Sequence, residues 1–284
     1  MIKYTIPLGN FDRQKQSTIN LGDAKVIASE NLAHELFEYI MESFAKRKEL
    51  VDLNPPKFYL QMDLADAVLE NDETRRRPLD RALVLFKLFK DGLVKSNIVF
   101  IQQKGVTNSL LWRHYVRWTI REAKAPIYIL NRDEETSLPE FWREFVSIDP
   151  TNFAVYRFHL ADFRPYLRDR FVDYVESMEY LLVPDSGEGD IGYKFRTRGA
   201  LVLGAADERQ TVHDHLKGAY DLRSAIVHGN SQREAQIIGK LQWENVISPV
   251  RHYDRRLIVL FYRARCINDS VKRRSFLLEK VLGG

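Results

Sequence analysis

A charge in the middle of an apolar helical stripe constrains this chain more than any other feature of its sequence. Between residues 207 and 228, Val212, Leu216, Ala219, Tyr220, Ile226 and Val227 recur at the spacing of an amphipathic helix, and Arg223 falls near the centre of the same stripe. Burying an unpaired guanidinium is costly, so the fold must give Arg223 an acid, an acceptor network or a bound anion. Glu179 and Asp190 are the candidate acids. His228 follows five residues later, roughly 140° further round the axis, and Gly229 then supplies a helix stop. The negative end of the helix dipole favours a cation in that last turn.

The pattern of the chain changes at Asp149-Pro150, which marks the expected domain boundary and divides it into residues 1–150 and 151–284. The first part mixes both periodicities. Ile2, Tyr4 and Ile6 alternate as in a strand, residues 29–48 have an amphipathic helical pattern, and a second helix is expected over residues 59–70, followed by a polar loop through Pro78. Residues 82–89 and 93–101 are rich in Val, Ile, Leu and Phe and flank Asp91-Gly92, which predicts a hairpin. In residues 112–121, strand parity places Arg113, Arg117 and Arg121 on one face and Trp112, Val116, Trp118 and Ile120 on the other. That face either binds a nucleic-acid strand or is the solvated side of a half-buried strand. Residues 126–130 predict one more strand, and Ser137-Leu138-Pro139-Glu140 predicts a capping box opening a helix through Phe145.

Strand signals nearly vanish beyond residue 150. Helical patterns cover residues 153–162, a segment after Pro165 carrying Leu167, Phe171, Tyr174, Val175, Met178, Leu181 and Leu182, and residues 191–203, where Gly199 predicts a close helix contact. The stripe with Arg223 comes next, then a basic helix over residues 249–268 and a final turn or two ending at Leu282. The expected fold class is therefore α+β, a mixed N-terminal domain followed by an all-α helical bundle.

Net charge is only +4, yet residues 251–284 hold nine Lys or Arg against three Asp or Glu, a basic end suited to phosphates. Arg251, Arg255 and Arg256, with His252, either extend a nucleic-acid cleft or form an exposed helix face. The single cysteine, Cys266, excludes internal disulfides and a Cys-based zinc site. His213 and His215, two apart on a helix, point different ways, and the acidic loop Asp185, Glu188 and Asp190 matches no cation-binding spacing, so no metal site is expected. No Walker-type phosphate loop, HExxH or GxSxG is present. With no signal-peptide pattern and no apolar run near the roughly 20 residues that span a bilayer, a soluble cytoplasmic protein without membrane association is expected.

Arg223 and His228, with four residues between them, match the R-x4-6-H signature of HEPN domains. Three blocks in order, residues 173–182, 192–201 and 219–229, together resemble the Apea-like branch of that family over about residues 150–270. The resemblance implies a helical bundle that dimerises face to face and brings Arg and His of two copies into one cleft. It also implies a metal-independent endoribonuclease of a prokaryotic defence, abortive-infection or toxin system, acting on RNA without cofactor, with a trigger molecule or antitoxin as further partner. In that chemistry His228 moves protons and Arg223 stabilises the phosphorane. Ser224 stands where active members often carry Asn, Asp or His, and its hydroxyl is placed to orient the imidazole. The alternative is a catalytically inactive HEPN module for dimerisation or for nucleotide or RNA binding.

Overall fold

The computed structural model describes the chain except residues 1, 10, 14–17, 30–56, 65–71, 95, 97, 104–108, 113–126, 185–188 and 284. Its architecture is α+β: a small, mostly antiparallel sheet at the N-terminal end and a helical region after it. The described residues form two compact units that meet in sequence between Ser147 and Ile148, next to Asp149-Pro150.

The first unit holds strands β1 (Ile2–Pro7), β2 (Phe11–Arg13), β3 (Ile19–Asn20), β4 (Ala24–Ala28), β5 (Phe58–Leu64), β6 (Ile98–Gln103), β7 (Ser109–Trp112) and β8 (Tyr128–Leu130), with helices α1 (Asp72–Phe89) and α2 (Arg132–Phe145). Six strands pair antiparallel in the order β3-β4-β5-β1-β6-β7, and β2 pairs parallel with β8. Residues 58–64 are thus a strand inside the sheet, not the beginning of a helix. Neighbours on both edges, β4 and β1, take their backbone groups, and this pairing overrides the helix preference of Leu60, Gln61 and Met62.

The expected hairpin over residues 82–101 is replaced by helix α1 and, after a break, β6. Ala82 through Leu88 are all buried, Lys87 included, so this half of the helix shows no one-sided stripe; such a run cannot be told from a buried strand by periodicity. Pro78, expected in a loop, lies within the same helix. Asp91-Gly92 turns the chain instead beneath Tyr128. Gly92 has φ +138°, and a Cβ there would lie 2.7 Å from the Tyr128 ring. Tyr128 donates its hydroxyl to the Phe86 carbonyl at 2.8 Å, and Phe11, Phe58 and Trp142 close an aromatic cluster around Phe86 and Tyr128. Helix α2 begins five residues before the expected capping box. Asn131 is its N-cap, accepting from the Glu134 N–H while Glu134 accepts from the Asn131 N–H, and Ser137 and Pro139 lie inside the helix. The predicted helix over residues 29–48, from residue 30 onward, and Arg113, Arg117 and Arg121 lie outside the described residues.

The second unit contains α3 (Phe153–Ala161), α4 (Leu167–Leu182), α5 (Ile191–Leu203), α6 (Arg209–Val227), α7 (Ser231–Leu241), α8 (Trp243–Arg263) and α9 (Ser270–Leu282). Phe158, Phe171, Met178, Phe195, Leu216, Leu222, Leu257 and Phe261 are fully buried in its core. Gly199 allows α5 to approach its neighbours, since a Cβ there would collide with Leu216 Cδ1 of α6 and lie 3.2 Å from Leu182 Cδ1 of α4. Three bounds differ from expectation. The short helix α7 was not foreseen, although Ser231 and Glu234 stand at capping-box spacing; α8 begins at Trp243, ahead of Pro249; and α9 is a helix of 13 residues rather than a turn or two. Among the described residues no helix is long and apolar enough to cross a membrane.

Candidate functional site

Helix α6 buries Val212, Leu216, Ala219, Leu222, Ala225 and Ile226 against the bundle. Leu222 and Ala225 turn the buried face away from the expected centre, so Arg223 lies at its margin and Val227 is 49% exposed. Arg223 has its acid. Its Nη2 lies 3.5 Å from Glu179 Oε2 of α4, with the two side chains 20% and 24% exposed. That is an ion pair rather than a short bidentate hydrogen bond, and Arg223 Nε and Glu179 Oε2 are buried without a hydrogen-bond partner among the described residues.

Asp190, the other candidate partner, is exposed at the N-cap of α5 in a left-handed conformation, φ +67°, and does not pair with Arg223. Tyr220 lies between them. It stacks loosely on Phe195, and a Cβ on Gly192 would come within 2.8 Å of its ring. Burial, then the charges of Glu179 and Asp190, push its hydroxyl upward against the pull of Arg223.

His228 is exposed and forms the C-cap of α6. The turn that carries it is closed from both sides. His228 N–H donates to Ser224 O at 3.1 Å, Gly229 N–H to Ile226 O at 3.1 Å and Asn230 N–H to Ala225 O at 2.8 Å. The last two bonds, with Gly229 at φ +69°, make a Schellman motif. Asn230 then caps α7 by accepting from the Arg233 N–H. Arg168, at the start of α4, ties this turn down. Its Nη2 donates to Ile226 O at 3.3 Å and its Nε to Glu234 of α7 at 3.1 Å. Nothing in the local sequence marks Arg168 for that position, because both of its partners are more than fifty residues away. Ser224, half-buried, meets His228 through its backbone oxygen.

The basic residues of α8 serve the bundle. Arg251 pairs with Asp162 at 3.6 Å, and Asp162 also accepts from the Tyr174 hydroxyl at 2.6 Å. Arg256 donates to Leu203 O at 2.7 Å, satisfying a carbonyl at the end of α5. Arg255 lies 3.4 Å from His252 Nδ1. All four are half-buried. His215 bonds the Tyr253 hydroxyl and His213 bonds Asp214, so the two histidines do not converge. Among the described residues no group of three His, Cys, Asp or Glu could hold a metal. Comparisons of this chain with protein-family models, curated proteins and solved structures found no match.

Proposed function

We propose that the helical unit is a metal-independent endoribonuclease of the HEPN type, working as a homodimer in a prokaryotic defence or toxin setting. What supports this reading is Arg223 near the end of α6 and His228 at its exposed C-cap, on a turn fixed by the Schellman bonds and the Arg168 clamp. An exposed imidazole can take the proton of a ribose 2′-OH and return one to the leaving oxygen, while a guanidinium stabilises the phosphorane between. The product is a 2′,3′-cyclic phosphate. Two copies joined across this face would pool their Arg223 and His228 side chains over one scissile phosphate. The N-terminal unit then senses a trigger or positions RNA. The expected result is RNA cleavage in EDTA by the wild-type protein, reduced at least about a hundredfold in His228→Ala and Arg223→Ala; equal cleavage by the His228→Ala protein overturns the reading.

One observation favours a second reading. Glu179 already neutralises Arg223, as in a module whose arginine pins two helices and whose surface binds RNA, a nucleotide or a second copy without cleaving anything. In that case wild type and both variants are equally inert on RNA while binding is retained.

A further inference from the structure

Where α3, α4 and α8 meet, one hydroxyl touches two oxygens. Ser177 Oγ lies 3.0 Å from the backbone oxygen of Ala154 and 2.6 Å from Asp254 Oδ1, and Ser177 and Asp254 are both fully buried. A serine carries one proton and a peptide carbonyl none. If Ser177 donates to Ala154 and Asp254 is ionised, the 2.6 Å contact sets two oxygens together with no proton between them. If Ser177 donates to an ionised Asp254 instead, its contact with Ala154 becomes two facing lone pairs. In both cases the second carboxylate oxygen, Oδ2, is buried without a hydrogen-bond partner among the described residues, an expensive state for a charge. A protonated Asp254 that donates from Oδ1 to Ser177, while Ser177 donates to Ala154, fills both contacts and leaves Oδ2 an uncharged carbonyl oxygen.

We propose that Asp254 is a neutral carboxylic acid in the folded protein and that its proton latches α8 to α4 and, through Ser177, to α3. The surroundings agree, since burial raises this carboxyl well above the ordinary range and the Ser177 hydrogen bond opposes it less strongly. The charged groups on the packed elements have other partners. Asp173 on α4 takes Arg157 and Arg164, and Glu176 takes Arg157. On α8, Arg251 pairs with Asp162, Arg255 meets His252 and Arg256 reaches Leu203 O. From α5, Arg198 donates to Leu182 O, and from α6, His215 bonds Tyr253.

The direction of the pH effect follows from linkage. The unfolded carboxyl ionises near pH 4, whereas the folded one holds its proton to higher pH. The latch therefore contributes fully below about pH 4 and is lost as pH rises toward the raised folded value. The test is carbon-13 aspartate NMR of the full chain between about pH 4 and pH 9. One carboxyl resonance, identified by its absence in Asp254→Asn, should keep the protonated position well after the other aspartates have ionised. Relative to Asp254→Asn, which retains a donor but has no proton to lose, the wild-type unfolding constant should rise about tenfold per pH unit from about pH 4 up to the pH at which that resonance shifts, and level off beyond it. If Asp254→Asn does not fold, Ser177→Ala identifies the resonance by shifting it. A spectrum in which every aspartate ionises in the ordinary range, or a ratio of unfolding constants that stays flat with pH, overturns the proposal.

Discussion

Glu179 is the residue on which the two readings of the site diverge. If Arg223 is meant for a phosphate, Glu179, 3.5 Å from its Nη2, competes with it. A half-exposed ion pair is worth up to about 1 kcal/mol, so Glu179→Gln in a His228→Ala background should tighten RNA binding about threefold to fivefold by fluorescence anisotropy. Unchanged or weaker binding would mean that Arg223 holds helices rather than phosphate. The site was partly legible at this scale. Burial cost demanded an acid for Arg223, and Glu179 on a neighbouring helix meets the demand. Asp190 does not, because a left-handed backbone at the start of α5 leaves it at the surface. Arg168 was invisible, since its two contacts exist only once α4 lies beside the α6–α7 turn.

At the scale of elements, packing decides what a glycine does. Gly199→Ala should destabilise the second unit by about 1–3 kcal/mol, because the added methyl meets Leu216 and Leu182. Gly218→Ala on α6, where a Cβ meets nothing within 4 Å, should stabilise by about 0.5–1 kcal/mol. Thermal unfolding of the two variants checks both signs, and a neutral Gly199→Ala would refute the close contact. The helices with a one-sided apolar stripe, α4, α5 and α6, could be read from sequence within a few residues. Elements buried all round could not. Residues 82–88 are buried on every side, Lys87 included, and residues 58–62 are buried but for Gln61, so neither run shows the period of its class, and each takes the class its neighbours impose. Asn131 and Ser137 show a different limit, because each can open a helix, and the one that does, Asn131, completes a capping box with Glu134, whose carboxylate also holds Lys90 at 2.7 Å.

Across the whole molecule, the nearly balanced charge hides a division of labour. Part of the basic excess of the last helices is spent on carbonyls and acids of the bundle, as with Arg251, Arg256 and Arg273, which donates to Ile267 O and stacks on Tyr180. Arg263, Arg265, Lys272, Arg274 and Lys280 stay exposed; an RNA contact limited to these cations should make the logarithm of affinity fall with log salt at a slope of about −2 to −4, and a slope steeper than about −6 would argue for a broader basic footprint. The first unit has a different character. Helix α1 buries every residue from 82 to 88, six of them apolar, and Tyr128 and Trp142, which cover Phe86, lie some forty residues or more further along the chain. During synthesis, therefore, this apolar segment leaves the ribosome well before the residues that shield it. A chain stalled between them would be a substrate for chaperones rather than a folding intermediate able to wait.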